Sequence, residues 1–170
     1  ASDVYKRQAL TYQAYYTKSD PILNYMTGML NFEPHDEILE PCGGDGVFID
    51  KILEHNPNAH INVFELNPSA VIGLKEKYSA KPGVSVKETD TLLDTAIISC
   101  TQRYDKIIGN PPYGARNNEK KKDLLNKLYS DLYTKESYTL FLYACTRCLK
   151  ENGELCFIIP DTFLSLHRHL

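Results

Sequence analysis

Glu40-Pro41-Cys42-Gly43-Gly44-Asp45-Gly46 is the stretch whose reading decides the fold. It follows a short strand candidate, Asp36 to Glu40, and precedes Phe48, Ile49, Ile52 and Leu53, whose spacing marks a helix that stops before Asn56-Pro57. Glycines between a strand and a helix permit positive φ and let a ligand approach the backbone closely. A glycine turn alone is weak support, since a tight turn with no ligand explains it equally well. A dinucleotide fingerprint would require a third glycine at position 49, where Ile49 stands.

The same alternation continues on both sides. His60 to Glu65 reads as a second strand, and Asn67-Pro68 opens a helix carrying Val71, Leu74 and Tyr78. Val84 to Lys87 is a third, weaker strand, and Asp105 to Gly109 a fourth that ends at Asn110-Pro111-Pro112. Upstream, Asp20-Pro21 reads as an N-cap followed by proline at the first helical position, with Leu23, Met26 and Leu30 at helical spacing. Downstream, Lys120 to Tyr133 is polar with Leu124, Leu125, Leu128 and Leu132 on one face. Tyr138, Phe141, Leu142, Cys145 and Leu149 mark a longer helix stopped by Asn152-Gly153, and Glu154 to Ile159 is a fifth strand ended by Pro160. Strands alternating with helices predict an α/β fold, a parallel sheet with helices on both faces. Ligands of such sheets bind beyond the carboxyl ends of the strands, where every motif discussed here falls.

Composition narrows the class. The chain has 170 residues, 42% hydrophobic and 24% charged, ordinary values for one globular domain. No apolar run approaches the roughly 18 residues of a membrane span, and the polar N-terminal stretch does not read as a secretory leader. Five irregularly spaced cysteines read as reduced thiols of a cytoplasmic protein. The net charge of −3 speaks against a domain that grips nucleic acid with its whole surface, so contact with DNA would come from a local patch or from another region. Asp3-Val4-Tyr5-Lys6-Arg7-Gln8 looks like a translated adapter sequence, the alternative being a genuine polar N-terminal arm, and residues 1–8 are set apart from the domain, 9–170. The abrupt end after Thr162-Phe163-Leu164 leads us to expect an incomplete domain.

Two acids join the turn. Glu65 ends the second strand, 19 positions beyond Gly46, where a carboxylate can accept hydrogen bonds from both ribose hydroxyls. Asp90 follows the third strand and could accept from an adenine amine. Each alone could be an ordinary surface acid; their order carries the weight. Asn110-Pro111-Pro112-Tyr113 is the most specific feature. The lone pair of an aromatic amine is delocalised into its ring and is a poor nucleophile. Two acceptors set against its two protons pull it toward tetrahedral geometry and stabilise the positive charge that develops on alkylation. The Asn110 side-chain oxygen and the Pro111 carbonyl can be those acceptors. The prolines stiffen the loop, and Tyr113 offers a ring on which a flipped base can stack.

The turn and the two acids in this order resemble the S-adenosylmethionine pocket of Rossmann-like class I methyltransferases. With Asn110-Pro111-Pro112-Tyr113, the chain resembles the adenine-N6 DNA methyltransferases of restriction-modification systems, in the subgroup whose cofactor motifs come first. The resemblance runs from about Tyr12 to Leu166. It implies that the turn, with Glu40, Gly44 and Gly46, holds the methionine moiety, Glu65 the ribose and Asp90 the adenine amine. Tyr15-Tyr16-Thr17-Lys18-Ser19-Asp20-Pro21 is similar to the upstream motif that closes over the methionine carboxylate, with Thr17 as its contact. Gly153 to Pro160 is similar to the fifth core strand. The implied activity is transfer of a methyl group from S-adenosylmethionine to the N6 amine of adenine in DNA. The implied partners are DNA with the target base flipped out, a target-recognition region beyond this chain, and a restriction nuclease, separate or fused.

This sequence departs from the family at three points. Cys42-Gly43 stands where a small residue and then cysteine are usual, Thr91 stands where an aromatic often packs on the cofactor adenine, and the last strands of the catalytic fold are lacking. Two other functions compete. A protein-glutamine or ribosomal RNA methyltransferase shares the Asn-Pro-Pro-Tyr loop but typically has an Asp-x-Gly-x-Gly first motif, where this chain has Glu40-Pro41. An inactive cofactor-binding fragment would keep the fold without turnover. Arg116, Lys120, Lys121, Lys122 and Lys127 form a local positive stretch, read either as a solvated face or as a contact to DNA phosphates. Cys145 and Cys148 lie within one helix and read as core, and no histidine forms a ligand pattern, so no metal is expected.

Overall fold

The computed structural model describes residues 17, 19–113, 119–132 and 136–164. Residues 1–8, Tyr15, Tyr16, Lys18, Arg116 and the segment after 164, which figure in the expectations above, lie outside the described residues. The elements are α1 (Asp20–Gly28), β1 (Glu37–Glu40), α2 (Val47–His55), β2 (His60–Glu65), α3 (Pro68–Lys77), β3 (Val84–Glu88), a 3-10 turn (Thr91–Leu93), α4 (Thr95–Ile98), β4 (Tyr104–Gly109), α5 (Glu119–Leu128), α6 (Ser137–Cys148), β5 (Leu149–Phe157) and a second 3-10 turn (Asp161–Leu164). The five strands form one sheet in the order β3-β2-β1-β4-β5, and every pairing is parallel. Register is fixed by pairs such as Glu40 with Val63, Leu39 with Ile107 and Ile107 with Leu155.

Successive residues of a strand face opposite sides of the sheet, and both sides are apolar. Ile38, Ile61, Val63 and Ile108 pack on one side against Leu23 and Met26 of α1, Phe48, Ile49 and Ile52 of α2 and Leu74 of α3. Leu39, Phe64 and Ile107 pack on the other against Ile97 of α4, Leu125 of α5 and Phe141, Ala144 and Cys145 of α6. The fold is therefore the expected Rossmann-like α/β sheet with helices on both faces. No helix of the described residues is long and apolar enough to cross a membrane.

Several boundaries differ from the sequence reading. Ser19, in extended conformation, is the N-cap of α1, and Asp20 is its first helical residue. Helix α6 ends at Cys148, and β5 starts immediately at Leu149 with a bulge. Its register against β4 jumps from Tyr104–Leu149 to Lys106–Glu154, with Asn152 at φ 62°. Asn152-Gly153 therefore shapes a strand irregularity rather than a helix stop. Of the leucine stripe expected in α5, only Leu125 is buried, while Leu124 and Leu128 are exposed; the next core contact is Tyr129.

Two side-chain constraints brace this frame. Gly46 caps α2 at φ 82°, and a Cβ there would collide with the Tyr78 hydroxyl and lie 2.9 Å from Leu74 Cδ2. Glu154 of β5 accepts from the backbone amide of Asn31 at 2.9 Å and pairs with the buried Lys106 ammonium at 2.9 Å. The Lys106 contact, followed by the Asn31 amide, holds the Glu154 carboxyl below the usual carboxylate range.

Gly46→Ala should cost roughly 2–4 kcal/mol of unfolding free energy, from left-handed strain plus overpacking against Tyr78; urea denaturation measures it. A depressed folded-state pKa adds stability above the unfolded value, about 4.3 for glutamate, and loses it as pH falls through the lower folded value. Stability should therefore decline in acid below about pH 4, and Glu154→Gln should flatten that part of the profile measured by thermal unfolding.

Candidate active site at the strand-order reversal

The strand order reverses between β1 and β4, so the loops leaving these two strands diverge and open a crevice at their carboxyl ends. The segment Pro41–Gly46 leaves one strand and Asn110–Tyr113 the other. They meet because β4 ends in glycine: a Cβ at Gly109 would lie 2.7 Å from Glu40 Oε1 and 3.3 Å from Pro41 Cδ. Glu40 itself is 1% exposed, and its Oε1 accepts from the Cys42 amide at 3.3 Å. Burial pushes its carboxyl well above the usual range. Glu40 is thus packed between the turn and Gly109.

The turn is shaped by Gly44 at φ 55° and Gly46 at φ 82°. The Tyr78 hydroxyl lies 2.8 Å from the Gly46 carbonyl oxygen and 2.8 Å from Asp50 Oδ1, tying α3 to the turn from below. Glu65 braces it from the side. Its Oε2 accepts from the Gly44 amide at 2.8 Å and its Oε1 from the Asn67 amide at 2.6 Å. Burial raises the Glu65 carboxyl, and the Asn67 and Gly44 amides oppose that shift. The Leu66 amide opposes it as well. A carboxylate offers about four lone-pair sites, so acceptor capacity remains for an incoming hydroxyl. Leu66, next in sequence, is 45% exposed and adds an apolar surface to the rim, a feature that sequence reasoning passed over.

Asp90 caps the 3-10 turn after β3, its Oδ1 accepting from the Leu92 amide at 3.3 Å. Its Oδ2 lies 2.5 Å from the Lys121 ammonium of α5. The neighbouring Thr91 is buried and donates to the Pro41 carbonyl at 2.6 Å. The absence of an aromatic at this position thus has a structural reason, because the side chain points inward to tie β3's exit to the glycine turn.

On the other wall, the Asn110 amide is held from two sides. Its Nδ2 donates to Thr17 Oγ1 at 3.2 Å, and the Tyr113 hydroxyl lies 2.7 Å from its Oδ1 and 2.8 Å from the Ile158 carbonyl oxygen. Burial pushes the Tyr113 phenol up to about 12, so the hydroxyl stays protonated at neutral pH. The Tyr113 ring meets Tyr138 edge to face at 6.2 Å, and Tyr138 meets Phe163 at 6.3 Å. Ser137, the first residue of α6, donates to the Pro112 carbonyl at 2.5 Å and anchors the loop to that helix. The Ile158 amide donates to the Gly109 carbonyl at 3.1 Å, so the exit of β5 supports the loop at both ends. Sequence reasoning missed these braces, since a lone serine at a helix start and a strand-end isoleucine carry no motif.

The structure thus brings Thr17, Glu40, Gly44, Gly46, Glu65 and Asp90 to the same end of the sheet as Asn110, Pro111, Pro112 and Tyr113. Chemically it presents a backbone cradle, two carboxylates spaced along one rim, and an oriented amide opposite. Among the described residues, no group of three or more His, Cys, Asp or Glu side chains could hold a metal ion.

Because an amide NH₂ in place of one Glu65 oxygen must face either the Gly44 or the Asn67 N–H, Glu65→Gln should destabilise the fold by roughly 1–3 kcal/mol. Chemical denaturation checks this, and an unchanged midpoint would show that the turn does not depend on Glu65.

The chain belongs to the Eco57I restriction-modification methylase family, whose model matches residues 47–169. It is 38% identical over 131 residues to the modification methylase CviBIII of Paramecium bursaria Chlorella virus NC1A, covering 76% of this chain and 32% of that protein. It is 31% identical over 133 residues to the type II methyltransferase M.AccI of Acinetobacter calcoaceticus, covering 75% of this chain and 24% of that one. It therefore spans about a quarter to a third of the length of these relatives. Among solved structures, the fold is similar to that of DrdV in a complex with DNA, with a TM-score of 0.66 and 21% identity, over 95% of this chain and 22% of that one.

Proposed function

We propose that this chain, as a member of that methylase family, is the catalytic and cofactor-binding part of a DNA methyltransferase that acts on the N6 amine of adenine. The observation that carries the reading is the Asn110 amide, fixed between Thr17 and Tyr113 on the wall facing the Gly44–Glu65 cradle.

S-adenosylmethionine, the cofactor proposed here, supplies an electrophilic methyl group on a sulfonium. The residues present fit it. The glycine turn offers close backbone approach for the methionine part, the remaining acceptor capacity of Glu65 suits a ribose hydroxyl, Leu66 offers an apolar surface for a flat base, and Asp90 an acceptor for its amine. Thr17 would serve the methionine carboxylate while it steadies Asn110.

Toward the target, Asn110 Oδ1 and the Pro111 carbonyl oxygen each accept a hydrogen bond from one amine N–H. This draws the amine lone pair out of conjugation with the ring and stabilises the positive charge that grows on nitrogen as the methyl arrives and the sulfonium leaves as a thioether; the extra proton is then lost to solvent. Burial of the loop makes these fixed dipoles count for more than they would in water. Tyr113 has two parts: its ring can stack on an extruded base, while its hydroxyl and Thr17 hold Asn110 in place. We assign recognition of the DNA sequence to a region outside this chain, and a restriction nuclease as the matching partner.

Calorimetry with S-adenosylmethionine, then transfer of labelled methyl to DNA duplexes with or without adenine, tests the reading. Asn110→Ala should abolish transfer and leave cofactor affinity within a few fold, since it removes an acceptor used only in the transition state. Equal labelling of adenine-free DNA would overturn the adenine assignment, and a large loss of cofactor affinity would reassign Asn110 to the cofactor. Binding without transfer by the unaltered chain would support the inactive-fragment alternative.

A further inference from the structure

Helix α5 carries the lysine run that sequence alone reads as solvated or as DNA-facing. Its members are not equivalent. Lys122 pairs with Glu119 one turn back on the same exposed face. Lys121 points inward and reaches Asp90 Oδ2 at 2.5 Å, both side chains being partly buried. A second tether joins the same two segments: the buried Tyr129 hydroxyl, just past the end of α5, donates to the Leu92 carbonyl at 2.8 Å. The helix after the catalytic loop is thus docked on the rim formed by Asp90 and Leu92.

We infer that Lys121 is a specificity-determining residue for the adenine end of the cofactor, because it competes with the adenine amine for Asp90. This rests on the reading of Asp90 given above. One oxygen of Asp90 receives the Leu92 amide and the other an ammonium. A carboxylate so engaged is a weaker acceptor for a neutral amine, and the half-enclosed position leaves few further approaches. The amine gains its full bond only as Lys121 gives up its own.

The test is calorimetry of the whole chain with S-adenosylhomocysteine and with S-inosylhomocysteine, which carries an oxo group in place of the amine. Removing a partly exposed ion pair changes an equilibrium by a few fold, so Lys121→Met should tighten S-adenosylhomocysteine roughly two- to fivefold. The inosine analogue should not gain, so discrimination widens. In an Asp90→Asn background the Lys121→Met effect should vanish. Unchanged or weaker binding by Lys121→Met, an equal gain for the inosine analogue, or a gain that persists without the Asp90 charge would each overturn the inference while leaving the proposed function standing. Failure of the unaltered chain to bind S-adenosylhomocysteine would overturn both.

Discussion

The close passage of Gly109 past Glu40 is the contact on which the rest of the site depends. Strands β1 and β4 are neighbours whose connections run to opposite sides, and any side chain at position 109 would meet the buried Glu40 carboxyl and the ring of Pro41. With no Cβ there, the backbone of β4 can run alongside the glycine turn and deliver Asn110 to its edge. Glu40 is held away from water at this junction, and burial keeps its carboxyl well above the usual range. A buried acid in such a place is costly unless it is hydrogen-bonded or neutral, and the Cys42 amide supplies such a bond.

Around that junction the site is built of short tethers between loops. Thr91 ties the exit of β3 to Pro41, Glu65 ties the exit of β2 to Gly44, Thr17 and Tyr113 hold Asn110, and Ile158 supports both Gly109 and Tyr113. The exits of β1, β2 and β3 are thereby locked to one another, and those of β4 and β5 to each other. Reactive groups on loops gain precision when their neighbours fix them, and the oriented Asn110 amide has the character of an acceptor set in advance of the reaction. The two kinds of side chain on this rim divide the work: carboxylates on the β2 and β3 side offer hydrogen-bond acceptors for sugar and base, and a neutral amide and a carbonyl on the β4 side offer acceptors for a developing cation.

Much of this was legible in the sequence because it rests on patterns of backbone physics. Apolar residues at the spacing of helices, punctuated by Asn67-Pro68 and Asn110-Pro111, sufficed to order the elements and to put each motif at a strand exit. The boundaries that shifted did so where tertiary contacts override local signals. Asn152-Gly153 looks like a helix stop, yet pairing with β4 continues through it by means of a bulge. The leucines of α5 look like one buried stripe, yet the helix meets the core at Leu125 and then Tyr129. The partners of Asp90 and Asn110 were not legible, since Lys121 lies 31 positions from the first and Thr17 lies 93 from the second. Only the closed fold brings them together.

The central claim is that the glycine turn and Asn110 belong to one binding crevice. Titration of the isotope-labelled chain with S-adenosylhomocysteine, followed by amide resonances, tests it most directly. The backbone amides of Gly44 and Asn67 and the side-chain amide of Asn110 should shift together with one saturation curve. Shifts confined to the groove at the opposite, amino ends of β2 and β3, around Ala59, His60 and Gly83, or an Asn110 side chain that does not respond while Gly44 does, would contradict it.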